Sequence, residues 1–182
     1  MARDSSFRIA ERRIEDAART GARSLILRNL GLTELPESLG QLTQVRVVDL
    51  NGNSLTALPI WIGKLTGLQS LSVGRNRLTT LPESLGQLTK LEWLSLYMNS
   101  VTTIPDSFGQ LKGLQQLYLS SNNMKVLPTS VSLLTSLQKL DLDNNQLTIL
   151  PESVGELGEL HSMSLSSNEL KSLPDSLGEI TQ

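Results

Sequence analysis

The chain has 182 residues, 38% of them hydrophobic and 19% charged, with a net charge of −2. That composition suits one folded domain with a sizeable core and excludes a disordered tail. There is no cysteine, which removes disulfides, thiolate metal sites and cysteine nucleophiles, and the small net charge gives no reason to expect nucleic acid or membrane partners.

The first residues, MARDSSFRIAERR, carry charges where an export signal needs an apolar stretch, so a cytoplasmic location is expected, with a secreted effector as the alternative. No apolar run approaches the ~18 residues of a membrane-crossing helix. Over residues 5–20 the apolar positions Phe7, Ala10, Ile14 and Ala17 or Ala18 fall at helical spacing. Ser5 or Ser6 is placed to cap the start and Gly21 to end it. Residues 1–21 therefore read as an N-terminal capping helix. Its arginines, Arg8, Arg12, Arg13 and Arg19, are interleaved with Glu11, Glu15 and Asp16, the pattern of a solvated face.

From residue 22 onward the chain repeats. All 7 prolines, Pro36, Pro59, Pro82, Pro105, Pro128, Pro151 and Pro174, are separated by 23 residues, and Asn53, Asn76, Asn99, Asn122, Asn145 and Asn168 keep the same step. The repeats are 22–44, 45–67, 68–90, 91–113, 114–136, 137–159 and 160–182, without insertion or deletion, on the unit LxxLxLxxNxLTxLPxSLGxLTx. In LSLYM the period is two: Leu94 and Leu96 face one way, Trp93, Ser95 and Tyr97 the other. That is a short strand with one buried face. Beyond it Leu81, Leu85 and Leu88 widen the spacing, and Pro82 suits the first turn of a short helical return segment. No coil of this size buries its own leucines, but stacked coils do, and their strands then form a parallel sheet. The Asn amides, which both donate and accept, are expected to form a ladder joining the backbones of successive coils. The first repeat has Leu30 in that column, and no coil precedes it.

This pattern resembles the leucine-rich repeat family, of the 23-residue intracellular type found in bacterial proteins and in Ras-associated scaffolds. The resemblance covers everything after Gly21 and implies an α/β solenoid, with a curved parallel sheet on the concave side and short helical or 3₁₀ segments on the convex side. The opening segment RRIEDAARTGARSLILRNLGLTELP is similar to the start of repeat regions in bacterial Roco proteins, which carry a GTPase after the repeats. That likeness sets out an alternative function, as sensor or dimerisation arm of a larger protein.

Function is sought where the repeats differ. Aromatic residues make up 3% of the chain, yet Trp93 and Tyr97 share one face of the fourth strand, and Tyr118 stands one strand on. By strand geometry Tyr118 lies roughly 8 Å diagonally from both. These three, with Met98 at the strand's exit, are the expected hot spot for a protein or peptide, since aromatic side chains dominate such contacts. Lys139, Asp141, Asp143, Gln116 and Arg75 form a secondary set around them. Trp61 replaces the serine of the repeat on the convex side, beside Ile60, and reads as local packing. Asp141 and Asp143 lack the glycine and distal glutamate of a calcium loop. His161 has Ser162 and Ser164 nearby, but serine is frequent throughout and no oxyanion-hole pattern accompanies it. The reading is a non-catalytic scaffold without metal or cofactor. Residues 137–182 carry 2 basic and 8 acidic groups, and the last repeat, regular through Leu173, Leu177 and Ile180, leaves an edge open to self-association.

Overall fold

The computed structural model describes residues 5–179; Ile180 and Gln182, part of the last expected repeat, lie outside the described residues. Helix α1, Ser5–Thr20, comes first. Seven strands follow, β1 Ser24–Ile26, β2 Val47–Asp49, β3 Ser70–Ser72, β4 Trp93–Ser95, β5 Gln116–Tyr118, β6 Lys139–Asp141 and β7 Ser162–Ser164. They form one parallel sheet in sequence order. Register shifts by one repeat at each step, so that Leu71 pairs with Leu94 and Leu94 with Leu117. This is the curved solenoid that the repeat demands.

Each strand is only three residues long because the coil must turn at once. Ladder bonding nevertheless continues past the strand, with Leu96 N donating to Tyr118 O at 2.8 Å and Met98 N to Ser120 O at 2.9 Å. At the turn one residue per coil adopts a left-handed backbone: Asn29, Gly52, Arg75, Met98, Ser121, Asn144 and Ser167 have φ between 53° and 68°. The next residue in the second to seventh coils is the repeat's Asn. Asn122 accepts Val101 N at 2.9 Å through its carbonyl oxygen and donates to Leu96 O and Leu119 O, both at 3.0 Å. Asn53, Asn76, Asn99, Asn145 and Asn168 repeat this pattern. Each amide thus binds the backbone of its own coil and of the coil before, and Leu30 N of the first coil is held by Asn53.

The return segments are single 3₁₀ turns, Glu37–Gln41, Ile60–Lys64, Glu83–Gln87, Asp106–Gln110, Thr129–Leu133, Glu152–Glu156 and Asp175–Glu179. Pro82 stands just before its turn rather than inside it, with an extended backbone at φ −75° and ψ 143°. Its carbonyl accepts Leu85 N at 3.1 Å, so the proline supplies the first acceptor without needing a donor. Neighbouring turns interlock closely. A Cβ on Gly86 would come within 2.4 Å of Ser107 O, and one on Gly63 within 2.5 Å of Ser84 O.

The core is one continuous stack of leucines and their substitutes from Ala10 to Leu160. Phe108 fills a full layer position. At the N-terminal end Phe7, Ala10, Ile14 and Ala17 of α1 are buried over it, whereas Ala18 is exposed. Ser5 and Ser6 fall within the described helix. Gly21 ends the helix at φ 67°, with Ala22 N donating to Ala17 O at 3.0 Å. Arg13 Nη1 reaches over the edge of β1 and donates to Ile26 O at 2.8 Å. At the other end burial fades: Met163, Leu165, Leu170 and Leu177 are partly covered, and Leu173 is 58% exposed.

Candidate binding face

The side chains opposite the core project from the concave face of the sheet. On β4 and β5 they meet. Trp93 and Tyr118 are in ring contact, centroids 5.6 Å apart and planes at 49°, a tilted arrangement of the kind that aromatic pairs favour. The Tyr118 hydroxyl donates to Gln116 Oε1 at 2.8 Å, and Lys139 Nζ lies 5.2 Å from the centre of the Tyr118 ring. Trp93, Tyr118, Gln116 and Lys139 are therefore one cluster across three strands, closer-knit than strand spacing alone implies.

Tyr97 does not join it. Its ring leans the opposite way, over Gly74 of the preceding coil, where a Cβ would stand 2.2 Å from Tyr97 Cε1. The Arg75 guanidinium lies 5.8 Å from the ring centre. Gly74 and Tyr97 occupy the same column one repeat apart, so the glycine is what gives the ring its place. That pairing is visible in the sequence once columns are compared between neighbours rather than within one repeat. Ser95, expected to face the concave side, is 2% exposed. Its register partner is Tyr118, and Trp93 stands two residues before it on the same face.

Met98 sits in the left-handed turn and is exposed, beyond the strand face. Asp141 and Asp143 are engaged locally. Asp141 accepts Ser120 Oγ at 2.8 Å and Asp143 N at 3.2 Å, and Asp143 accepts Ser166 N at 2.7 Å. No group of three potential metal ligands occurs among the described residues. His161 Nδ1 is engaged with its near neighbour Glu159 O rather than with a serine.

Two apolar side chains that sequence reading passed over, Ile26 on β1 and Val47 on β2, are exposed on the same concave face. Their signal was present in the outward columns, where every coil but these and the aromatic ones carries polar or small residues. On the convex side Trp61 packs over Gly40, with Trp61 Cε3 3.0 Å from where a Cβ would stand. With Glu37, Lys64 and Glu83 it lines an open groove of about 700 Å³, at whose rim Ile60 is 78% exposed.

A family profile described as leucine rich repeat matches residues 43–101, 66–124 and 89–147, each match displaced by 23 residues from the last. Together these span more than half of the chain. The chain belongs to the leucine-rich repeat family. Among solved structures it is similar to a leucine-rich repeat protein of Leptospira interrogans, with 34% identity and a TM-score of 0.80, over 91% of this chain and 49% of that one. It is also similar to the leucine-rich repeat ectodomain of the plant membrane receptor kinase GASSHO1/SCHENGEN3 from Arabidopsis thaliana, solved in complex with CASPARIAN STRIP INTEGRITY FACTOR 2. There identity is 30% and the TM-score 0.66, over 81% of this chain and 22% of that one. An internalin from Listeria monocytogenes, at 22% identity and a TM-score of 0.74, shares the fold. The chain thus spans about half the length of the Leptospira protein. No curated protein matches it significantly. These three neighbours show no similarity to Roco proteins by their descriptions, and among the described residues no helix is long and apolar enough to cross a membrane.

Proposed function

We propose that this leucine-rich repeat protein is a non-catalytic binding module that holds a protein or peptide on its concave sheet, centred on Trp93 and Tyr118. The observation that carries the reading is the ring contact between these two residues. It gathers the large aromatic side chains at the middle of an array whose other concave positions are mostly small or polar. Aromatic anchors near the centre of a contact supply most of its energy, and polar surroundings exclude water around them. Gln116 bonds the Tyr118 hydroxyl and Lys139 lies over its ring, contacts that reduce the rotamer freedom to be lost on binding. Tyr97 with Arg75 and the turn residue Met98 extend the surface on one flank, and Asp141 and Asp143 on the other. The Arabidopsis ectodomain with its bound factor shows that a related repeat array holds a partner molecule. Binding is expected without cofactor, metal, nucleic acid or membrane.

Affinity capture from source-cell lysate tests this, with wild type beside the variant Trp93→Ser, Tyr97→Gly, Tyr118→Ser. Each replacement is a residue that another coil already carries in that column. Truncating hot-spot residues costs ~2 kcal/mol or more each, so a concave partner should be lost from the variant. A partner retained equally by both baits removes the aromatic face from consideration.

A further inference from the structure

The other tryptophan of the chain stands on the convex side, and there two columns break together. The 3₁₀ turns of the first four coils open with Glu37, Ile60, Glu83 and Asp106. Ile60 is the only apolar residue in that column, whose later members are Thr129, Glu152 and Asp175. The residue after it is serine in every coil but the second, where it is Trp61. Ile60 serves the core little, being 78% exposed. It also forgoes a tie that its column makes elsewhere. Glu83 and Glu152 accept the backbone N–H of Ser107 and Ser176 in the next coil, each at 3.3 Å, and Ile60 has no acceptor to offer Ser84.

The break shapes the surface. Trp61 is half-buried and packs back over Gly40. Past it the same column drops to Ser84 and Ser107, whose hydroxyls are buried. A large ring beside a low floor makes the convex groove of about 700 Å³. The first residues of the turns supply one set of its lining groups, Glu37, Ile60 and Glu83, with the exposed Asp106 next in line. The last residues of the turns supply the other, Lys64 and the amides of Gln87 and Gln110. Coils are about 4.8 Å apart at the sheet and somewhat farther apart on the outer side of a curved array. One turn of α-helix rises about 5.4 Å. A helix laid along the array therefore sets one residue against each coil.

We propose that the convex groove is a second docking surface, and that its occupant is a single α-helix of a partner protein bearing an apolar and basic stripe. An apolar residue of that helix covers Ile60 and Trp61. Lys or Arg one turn before it faces Glu37, and Lys or Arg one and two turns after it face Glu83 and Asp106. The stripe reads basic at i, apolar at i+4 and basic at i+7 and i+11, the positions of one helix face. Trp61 and Ile60 supply the buried area. The carboxylates select the basic stripe, and Lys64 across the groove holds that stripe to their side. This surface lies on the far side of the core from the Trp93 and Tyr118 cluster, so the two readings stand or fall separately.

The test is selection, on the full chain, of a displayed library of a small helical scaffold with one helix face randomised, followed by affinity measurement with the best helix as a synthetic peptide. The expected winners share the stripe. Ile60→Glu, Trp61→Ser, which restores the residues that neighbouring coils carry, should weaken the peptide at least about tenfold, and so should Glu37→Lys, Glu83→Lys. The concave variant Trp93→Ser, Tyr118→Ser should bind it as wild type does. Proline placed in the middle of the peptide should abolish binding. Thermal melting first shows each variant to be folded, and because the two convex perturbations are independent, either one alone decides. Winners indifferent to both convex variants, binding that tolerates the proline, or a library without binders overturn the proposal. Winners lost only on the concave variant also overturn it, and they support the concave reading instead.

Discussion

Replacing Asn122 by Ala should be among the most damaging polar substitutions in this chain, and replacing Asn168 by Ala among the milder ones, although the two occupy the same column. Asn122 is buried and makes three short bonds, accepting Val101 N and donating to Leu96 O and Leu119 O. Alanine leaves Val101 N without a partner between packed coils and takes one of two side-chain donors from each carbonyl, since Asn99 still donates to Leu96 O and Asn145 to Leu119 O. At roughly 1–3 kcal/mol for the one buried orphaned donor, with the two weakened carbonyls beside it, the loss comes to about 2–3 kcal/mol. Asn168 makes the equivalent bonds to Leu147 N, Leu142 O and Leu165 O, but it is only half-buried, in the most exposed coil. Solvent replaces the amide there, and about 1 kcal/mol is expected. Urea unfolding followed by circular dichroism measures both. Because coils interact with nearest neighbours, the Asn122 variant should also broaden the transition or split it into two, while the Asn168 variant should only fray its end. Equal losses for the two variants, or less than about 1 kcal/mol at Asn122, would refute the view that the ladder is a buried, coil-joining network.

Further outcomes follow from the packing of glycines and turns. Gly86→Ala should cost about 2 kcal/mol, because its new methyl meets the Ser107 backbone at 2.4 Å, while Gly158→Ala, with nothing within 4 Å, should be close to neutral; paired urea melts decide. The three atoms nearest a Cβ on Gly74 all belong to the Tyr97 ring. Gly74→Ala should change stability by less than about 1 kcal/mol yet alter the near-ultraviolet circular dichroism as the ring swings off its site. Ser121→Gly relieves a left-handed residue at φ 56° and should stabilise the protein by roughly 0.5–1 kcal/mol, read as a higher melting temperature.

How far the sequence carries can be seen at single residues. Leu94 and Leu96 were assigned to the core by period alone, and both are fully buried, because in a stacked coil one face has no alternative. The parallel sheet follows from a constant 23-residue step, which puts equal columns side by side. The aromatic rings were placed on the correct face by the same alternation, but not in their directions. Trp93 turned toward Tyr118 and Tyr97 toward Gly74, a choice made by what the adjacent coil leaves empty. Ser95 was placed on the outward face of its strand, yet it is buried there. Pro82 was expected inside its turn and stands before it, since an extended proline presents its carbonyl to the turn. Met98 could not be placed from period two, because period ends at the left-handed turn. Asn29, Gly52 and Asn144 in its column are the residue types that tolerate positive φ, and they mark that turn in the sequence.

The asparagine ladder has a direction. Each amide fastens the coil that was synthesised before its own, never the one after. On a ribosome delivering ~5–20 residues per second, a 23-residue coil emerges every one to five seconds or so, and its arrival completes the bonds of its predecessor. The polarity of translation and the polarity of the hydrogen bonds coincide, so the side chain that completes each coil's bonds is the next to be synthesised.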